Sequence, residues 1–138
     1  MSVALSPEYR PSEDEPFMNE RQREYFRRRL VQWKEEILRE SRETLQNLAL
    51  ETLTQADLAD RASTEAERAN ELRARDRQRK LIAKIDSALR RIDEGTYGFC
   101  EDSGDPITLR RLEARPIATL SIEAQERHEK RERIYRDN

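Results

Sequence analysis

The chain has 138 residues, enough for one domain or for one small domain with an extended appendage. Only 35% of it is hydrophobic while 41% is charged, which is too polar for a compact globule of this length. The balance of 27 basic against 29 acidic side chains argues against a generic nucleic-acid binder, and the single cysteine, Cys100, excludes an internal disulfide and cannot by itself make a structural zinc site.

Residues 1–18 hold Pro7, Pro11 and Pro16, and their four acids outweigh one arginine. They lack the long apolar stretch of a secretory leader, and no run in the sequence reaches membrane-spanning length. A soluble, cytoplasmic protein with no membrane partner is expected.

From Phe17 to Glu94 the 78 residues contain neither glycine nor proline. Arg, Glu, Leu, Ala, Gln and Lys dominate, which favours helix. Asn19 is the expected N-cap, with Gln22 placed to close a capping box. Phe26, Leu30, Trp33 and Ile37 step by four, three and four, the seam of a coiled coil, and Leu45 and Leu48 continue that face loosely. A second pattern runs through Ala62, Ala66, Ala69, Leu81, Ile85, Ala88 or Leu89, and Ile92, with Gly95 placed as its C-terminal cap.

Between the two patterns, LETLTQADLADRAST (residues 50–64) is rich in residues that weaken helix or favour caps. A turn here folds the arms into an antiparallel hairpin over 19–94, tip at about 51–62. At ~1.5 Å rise per residue each arm is roughly 45–50 Å long. One continuous helix in a parallel dimer is the alternative; the interrupted seam favours the hairpin, and so a monomer. Between Ala69 and Leu81 the sequence NELRARDRQRK puts charges at seam positions, so little apolar area is expected to hold the hairpin near its tip.

Residues 95–122 are turn-rich, with Tyr97, Phe99, Ile107, Leu109, Leu112, Ile117 and Leu120 as a small core against which segment 1–18, with Tyr9, Phe17 and Met18, is expected to pack. A polar helix occupies 123–138, Ser121 being its N-cap. The fold class is mainly α: a long antiparallel coiled-coil hairpin, a small zinc-finger-like globular module and a short C-terminal helix.

Two clusters carry chemistry. Asp57 and Asp60 lie three apart, on one side of a helical turn; the bland reading makes them turn formers, Asp60 capping the second helix. Arg73, Arg75, Arg77, Arg79, Lys80 and Lys84 face only one acid, Asp76, within residues 73–84. They are either a solvated face with internal ion pairs or an anion-binding or docking face. Nothing pairs a nucleophile with a base, so no enzyme is expected.

YGFCEDSGDPITLRRLEARPIATLSIEA closely resembles the zinc-finger segment of the DksA/TraR family of bacterial RNA polymerase-binding regulators. ELRARDRQRKLIAKIDSALRRIDEGTYG resembles that family's second coiled-coil helix, MNERQREYFRRRLVQWKEEI its first, and DLADRA its tip motif, D-x-x-D-x-A. The resemblance runs in order over nearly the whole chain after residue 17. It implies a transcription factor that enters the secondary channel of RNA polymerase and regulates initiation, ribosomal RNA promoters included, together with guanosine tetraphosphate and without binding DNA directly. Asp57, Asp60 and Ala62 fill the tip positions. Leu81, Lys84 and Arg115 match positions that line the nucleotide site, Arg77 matches a polymerase contact, and Gln125 replaces a basic residue, which weakens the expected nucleotide response.

One departure stands out. The family's finger has two C-x-x-C pairs; here they read Cys100-Glu-Asp-Ser103 and Ser121-Ile-Glu-Ala124. Serine and alanine do not replace thiolates as zinc ligands, so no zinc is expected. His128 is expected as a solvated residue on a charged helix. The competing functions are a structural or adaptor coiled coil, a degenerate zinc-finger nucleic-acid binder, and a channel binder that opposes the family's effect.

Overall fold

The structure is a computed structural model describing residues 4–54 and 58–137, without the side chains of Leu48, residues 51–64 and Asp137. Four helices follow one another among the described residues: α1 (Glu20–Thr54), α2 (Leu58–Glu94), α3 (Leu109–Ala114) and α4 (Ile122–Asp137). These residues hold no strand, only an isolated antiparallel bridge between Phe99 and Pro106. The mainly helical class stands, with α1 and α2 forming the hairpin. Packing divides the chain into two units, Met1–Leu30 with Ser87–Asn138, and Val31–Asp86, and both long helices pass from one into the other.

The first unit begins with a strap, residues 4–18, tied to the start of α1. Asn19 caps as its sequence suggests, its side chain accepting from the Gln22 backbone N–H at 2.9 Å. Gln22 does not close the box on Asn19. Its fully buried side chain turns back along the strap, accepting from Met18 N–H at 2.8 Å and donating to the Ser12 carbonyl at 3.1 Å. The reason is Met18, a non-glycine residue in the left-handed region (φ 53), which swings the strap across the amide. Phe17 then packs edge-on against Phe99 at 5.4 Å, while Tyr9 meets Tyr25 of α1 at 6.0 Å.

Phe26, Leu30, Ala88, Ile92, Tyr97, Ile107 and Leu112 are the centre of this unit's core. Each of the large aliphatic or aromatic side chains contributes roughly 1.5–3 kcal/mol of burial. α2 ends at Gly95 (φ 82), where Thr96 N–H returns to the Arg91 carbonyl at 2.9 Å and Gly95 N–H to Ile92 at 3.3 Å. This paired closure is what the sequence position of Gly95 suggests. Gly98 (φ 91) lies under the strap: a Cβ there would stand 3.2 Å from both Phe17 and Met18.

α3 is not anticipated by periodicity. Thr108 caps it, accepting from Arg111 N–H at 3.2 Å, and Leu109 and Leu112 fill the core. Ser121 caps α4 as expected, with Ala124 N–H donating to its hydroxyl at 3.2 Å. His128 is not merely solvated: its Nε2 lies 2.7 Å from Asp102 Oδ2, tying α4 to the turn at 101–104.

In the second unit α1 and α2 run antiparallel, with Lys34 Nζ 2.7 Å from Asp86 and the Ser41 hydroxyl 2.7 Å from Gln78. Ile37 and Ile85 are its buried apolar pair. Towards the tip the interior turns polar, as the charged run suggests: a buried Glu71 carboxylate oxygen has no partner among the described residues. Leu45 departs from its expected place on the seam and is exposed. The heptad step through Leu30 and Ile37 falls on Thr44, which is half-buried like Ser41, and Leu45 lies about 100° further round the helix. The side chain of Leu48 lies outside the described residues.

Candidate functional site

Of the expected tip residues, Asp60 and Ala62 fall in the first turns of α2. Asp57 lies outside the described residues. Asp60 is the third residue of α2, not its cap, and its side chain and that of Ala62 lie outside the described residues.

On α2, Arg77, Leu81 and Lys84 step by four and three and so share one face. Arg77 and Lys84 are exposed at the helix surface, and Leu81 is half-buried. Neighbouring cations are partly satisfied locally, Arg73 donating to Asn70 at 2.6 Å and Lys80 pairing with Asp76 at 3.1 Å. Arg75, Arg77, Arg79 and Lys84 make no ion pair among the described residues, which leaves this stretch able to meet anions of a partner. Arg115 belongs to the first unit; exposed, it ends α3 with its N–H on the Arg111 carbonyl at 2.8 Å. Gln125 donates to Glu129 on the same helix at 3.2 Å.

In the finger-like module backbone hydrogen bonds close the turn at 100–105 and tie it to the segment before α4. Cys100 N–H donates to the Asp105 carbonyl (2.8 Å) and Gly104 N–H to the Cys100 carbonyl (2.9 Å), while Glu101 N–H reaches Thr119 (2.9 Å) and brings the 119–121 segment alongside. Burial alone would raise the Cys100 thiol. Hydrogen bonds from the hydroxyl and N–H of Ser103 and of Ser121 overcome that and lower it from 9.0 to about 6. Those donors favour the thiolate over the thiol.

Two clusters escape sequence reasoning. Glu15 accepts from the Tyr9 hydroxyl (2.9 and 3.0 Å), Ser12 N–H (3.1 Å) and Gln22 (3.4 Å). Glu113 accepts from the Tyr25 hydroxyl and from Arg29, both at 3.0 Å. Neither has a periodic signature, because the bonds join the strap to itself and to α1, and α1 to α3, up to 88 residues apart.

Comparison with known proteins places this geometry. Residues 22–92 match the family model described as DnaK suppressor protein DksA, N-terminal domain, and residues 95–130 match the prokaryotic dksA/traR C4-type zinc finger. The chain is 70% identical over 131 residues to the RNA polymerase-binding transcription factor DksA of Caulobacter vibrioides, covering 95% of this chain and 92% of that one. The chain belongs to the DksA family. It is also 39% identical over 133 residues to the DksA of Escherichia coli, covering 96% of this chain and 88% of the other. The solved structure of transcription factor DksA2 from Pseudomonas aeruginosa aligns with TM-score 0.79 and 44% identity, over 85% of this chain and 90% of that one.

The finger match corrects the expectation of a protein apart from zinc. Residues 95–130 are a member of a C4-type zinc-finger family, and that membership points to zinc binding. The donors present here fit the metal poorly. The positions of the two C-x-x-C pairs supply one buried sulfur at Cys100, two hydroxyls at Ser103 and Ser121, and a fully buried methyl at Ala124. Among the described residues no group of three His, Cys, Asp or Glu side chains is placed to hold a metal ion. Nor is any described helix long and apolar enough to cross a membrane.

Proposed function

We propose that this protein is a regulator that binds RNA polymerase and acts on transcription initiation, entering the secondary channel of the enzyme tip first. One observation carries the reading: 70% identity along 95% of the chain to a protein named for binding RNA polymerase. Asp57, Asp60 and Ala62 act at the tip, near the catalytic centre of the polymerase. Carboxylates carried on a two-helix stalk perturb basic groups or a metal-bound substrate at the bottom of a narrow channel more strongly than in open water. Arg77 contacts the polymerase.

Guanosine tetraphosphate is the effector, held at the polymerase interface by Leu81, Lys84 and Arg115; guanidinium and ammonium groups are the donors phosphates require. Ribosomal RNA promoters are among the targets. The protein works as a cytoplasmic monomer, without enzymatic activity and without contacting promoter DNA.

Changing Asp57→Asn together with Asp60→Asn tests the tip. Inhibition of transcription from a ribosomal promoter is expected to fall by about ten-fold or more, while affinity for polymerase changes less than about three-fold. Full inhibition by the double variant would reduce the tip to a turn.

A further inference from the structure

The second unit leaves a row of aliphatic side chains only partly covered by its own fold. Val31, Leu38 and Leu45 follow one another at seven-residue intervals along α1 and are 39, 41 and 42% exposed, whereas Ile37 on the seam is 5% exposed. Single exposed aliphatics need no explanation. Three in heptad register do, since they form a line about 21 Å long at ~1.5 Å per residue. Each follows a seam residue (Leu30, Ile37, Thr44) by one position, so the row is turned by about 100° from the seam.

The row is not spill-over from the core. At its outer end the seam position is a threonine, Thr44, and the exposed position beside it is Leu45, so there the row is the more apolar of the two. Seam and row together give α1 a broader stripe than one neighbour covers, the pattern of a helix that packs against two. Within this unit α2 is the one neighbour among the described residues.

The borders of the row fix the chemistry of the missing neighbour. Lys34–Asp86 and Ser41–Gln78 set the register, and Lys34 lies on the row side of the seam, so its bond shows which flank of α2 runs beside the row. In that register Arg75 and Arg79 of α2 come level with Leu45 and Ser41, and with Arg42 of α1 they give the border an excess of basic groups. Asp86 on that flank is already paired with Lys34, and Glu35 beside the row and Glu71, four before Arg75, are the further acids there among the described residues. Arg77, Leu81 and Lys84 face the opposite flank, so the row is not part of that basic surface.

We infer that Val31, Leu38 and Leu45 are a docking surface for an amphipathic helix with acidic borders, presented by the polymerase. The inference rests on the polymerase reading and adds a contact separate from the tip and from the basic face. A second copy of this chain is a poorer occupant, because symmetric pairing along the row would set arginine borders against each other.

Two variants test the inference on the full chain. Leu38→Gln with Leu45→Gln removes the aliphatic contacts, and Arg42→Glu with Arg79→Glu reverses the border without touching the row. Affinity for purified core RNA polymerase is read by fluorescence anisotropy, with helicity and melting temperature as controls. Both variants are expected to keep wild-type helicity and to bind at least about ten-fold more weakly, the second also with a shallower salt dependence than the wild type, the basic face being untouched. Wild-type affinity in both variants would overturn the row while leaving the polymerase reading intact. A wild-type chain that fails to bind polymerase sinks that reading, and the row with it. Concentration-dependent self-association of the wild type, abolished by Leu38→Gln with Leu45→Gln, would overturn the choice of occupant.

Discussion

Glu15 shows how much of the strap hangs on one carboxylate. Hydrogen bonds from Tyr9, Ser12 and Gln22 and an ion pair with Arg21 at 3.9 Å converge on it. Burial pushes its pKa up, but the Ser12 N–H and then the Tyr9 and Gln22 donors outweigh that and hold it below the usual 4.5. Tyr9 moves the other way, to about 12, through burial first and then its bond to Glu15.

A lowered carboxylate stabilises the fold above 4.5 and loses that contribution as pH falls through its folded value; a raised phenol contributes below 10.0 and loses it as pH climbs through about 12. The strap is therefore expected to loosen at both ends of the pH range. Hydrogen-exchange protection of the Ser12 and Met18 amides should fall below about pH 4.5 in the wild type and be low at all pH values in Glu15→Ala. Protection of both amides that is independent of pH would contradict the role of Glu15. Asn19 is legible as a cap because capping depends on local spacing. The bonds of Gln22 are not, because they depend on the left-handed turn at Met18, which no residue type signals.

At the scale of the element, the hairpin seam is uneven and its mutational cost should follow. Leu30 is fully buried while Leu45 is 42% exposed. Leu30→Ala is expected to cost about 2–5 kcal/mol and Leu45→Ala under about 1 kcal/mol, measured by urea unfolding followed by circular dichroism. Equal costs would show that Leu45 is covered within the monomer. The seam from Phe26 to Ile37 and from Ile85 to Ile92 is readable because the spacing of four and three leaves one choice of face. Leu45 misleads because beyond Ile37 the seam positions Ser41 and Thr44 are polar, and a hydrophobic pattern follows the leucine rather than the heptad. α3, six residues between Pro106 and Pro116, is too short for periodicity to register. Its Thr108 cap is the usable signal.

For the whole molecule, the charge pattern and the module tell different parts of the story. An acidic tip between mildly basic arms is visible in the sequence, but only resemblance makes it more than a turn. The finger is where family and residues part. The segment matches a C4-type zinc-finger family, while the four positions of its C-x-x-C pairs hold one cysteine, two serines and an alanine, and Phe99, Ile107, Leu112 and the strap supply its packing. Cysteine spacing reveals the lost ligands; it does not show that Ser103 and Ser121 hold the Cys100 thiol low.

Everything proposed for this chain depends on which partner it takes. Fluorescence anisotropy of the labelled full chain, titrated separately with core RNA polymerase and with ribosomal promoter DNA, measures that directly. Saturable one-to-one binding to polymerase, with no binding to DNA alone at the same salt, is the expected result. Tight binding to DNA in the absence of polymerase, or no association with polymerase, would contradict it.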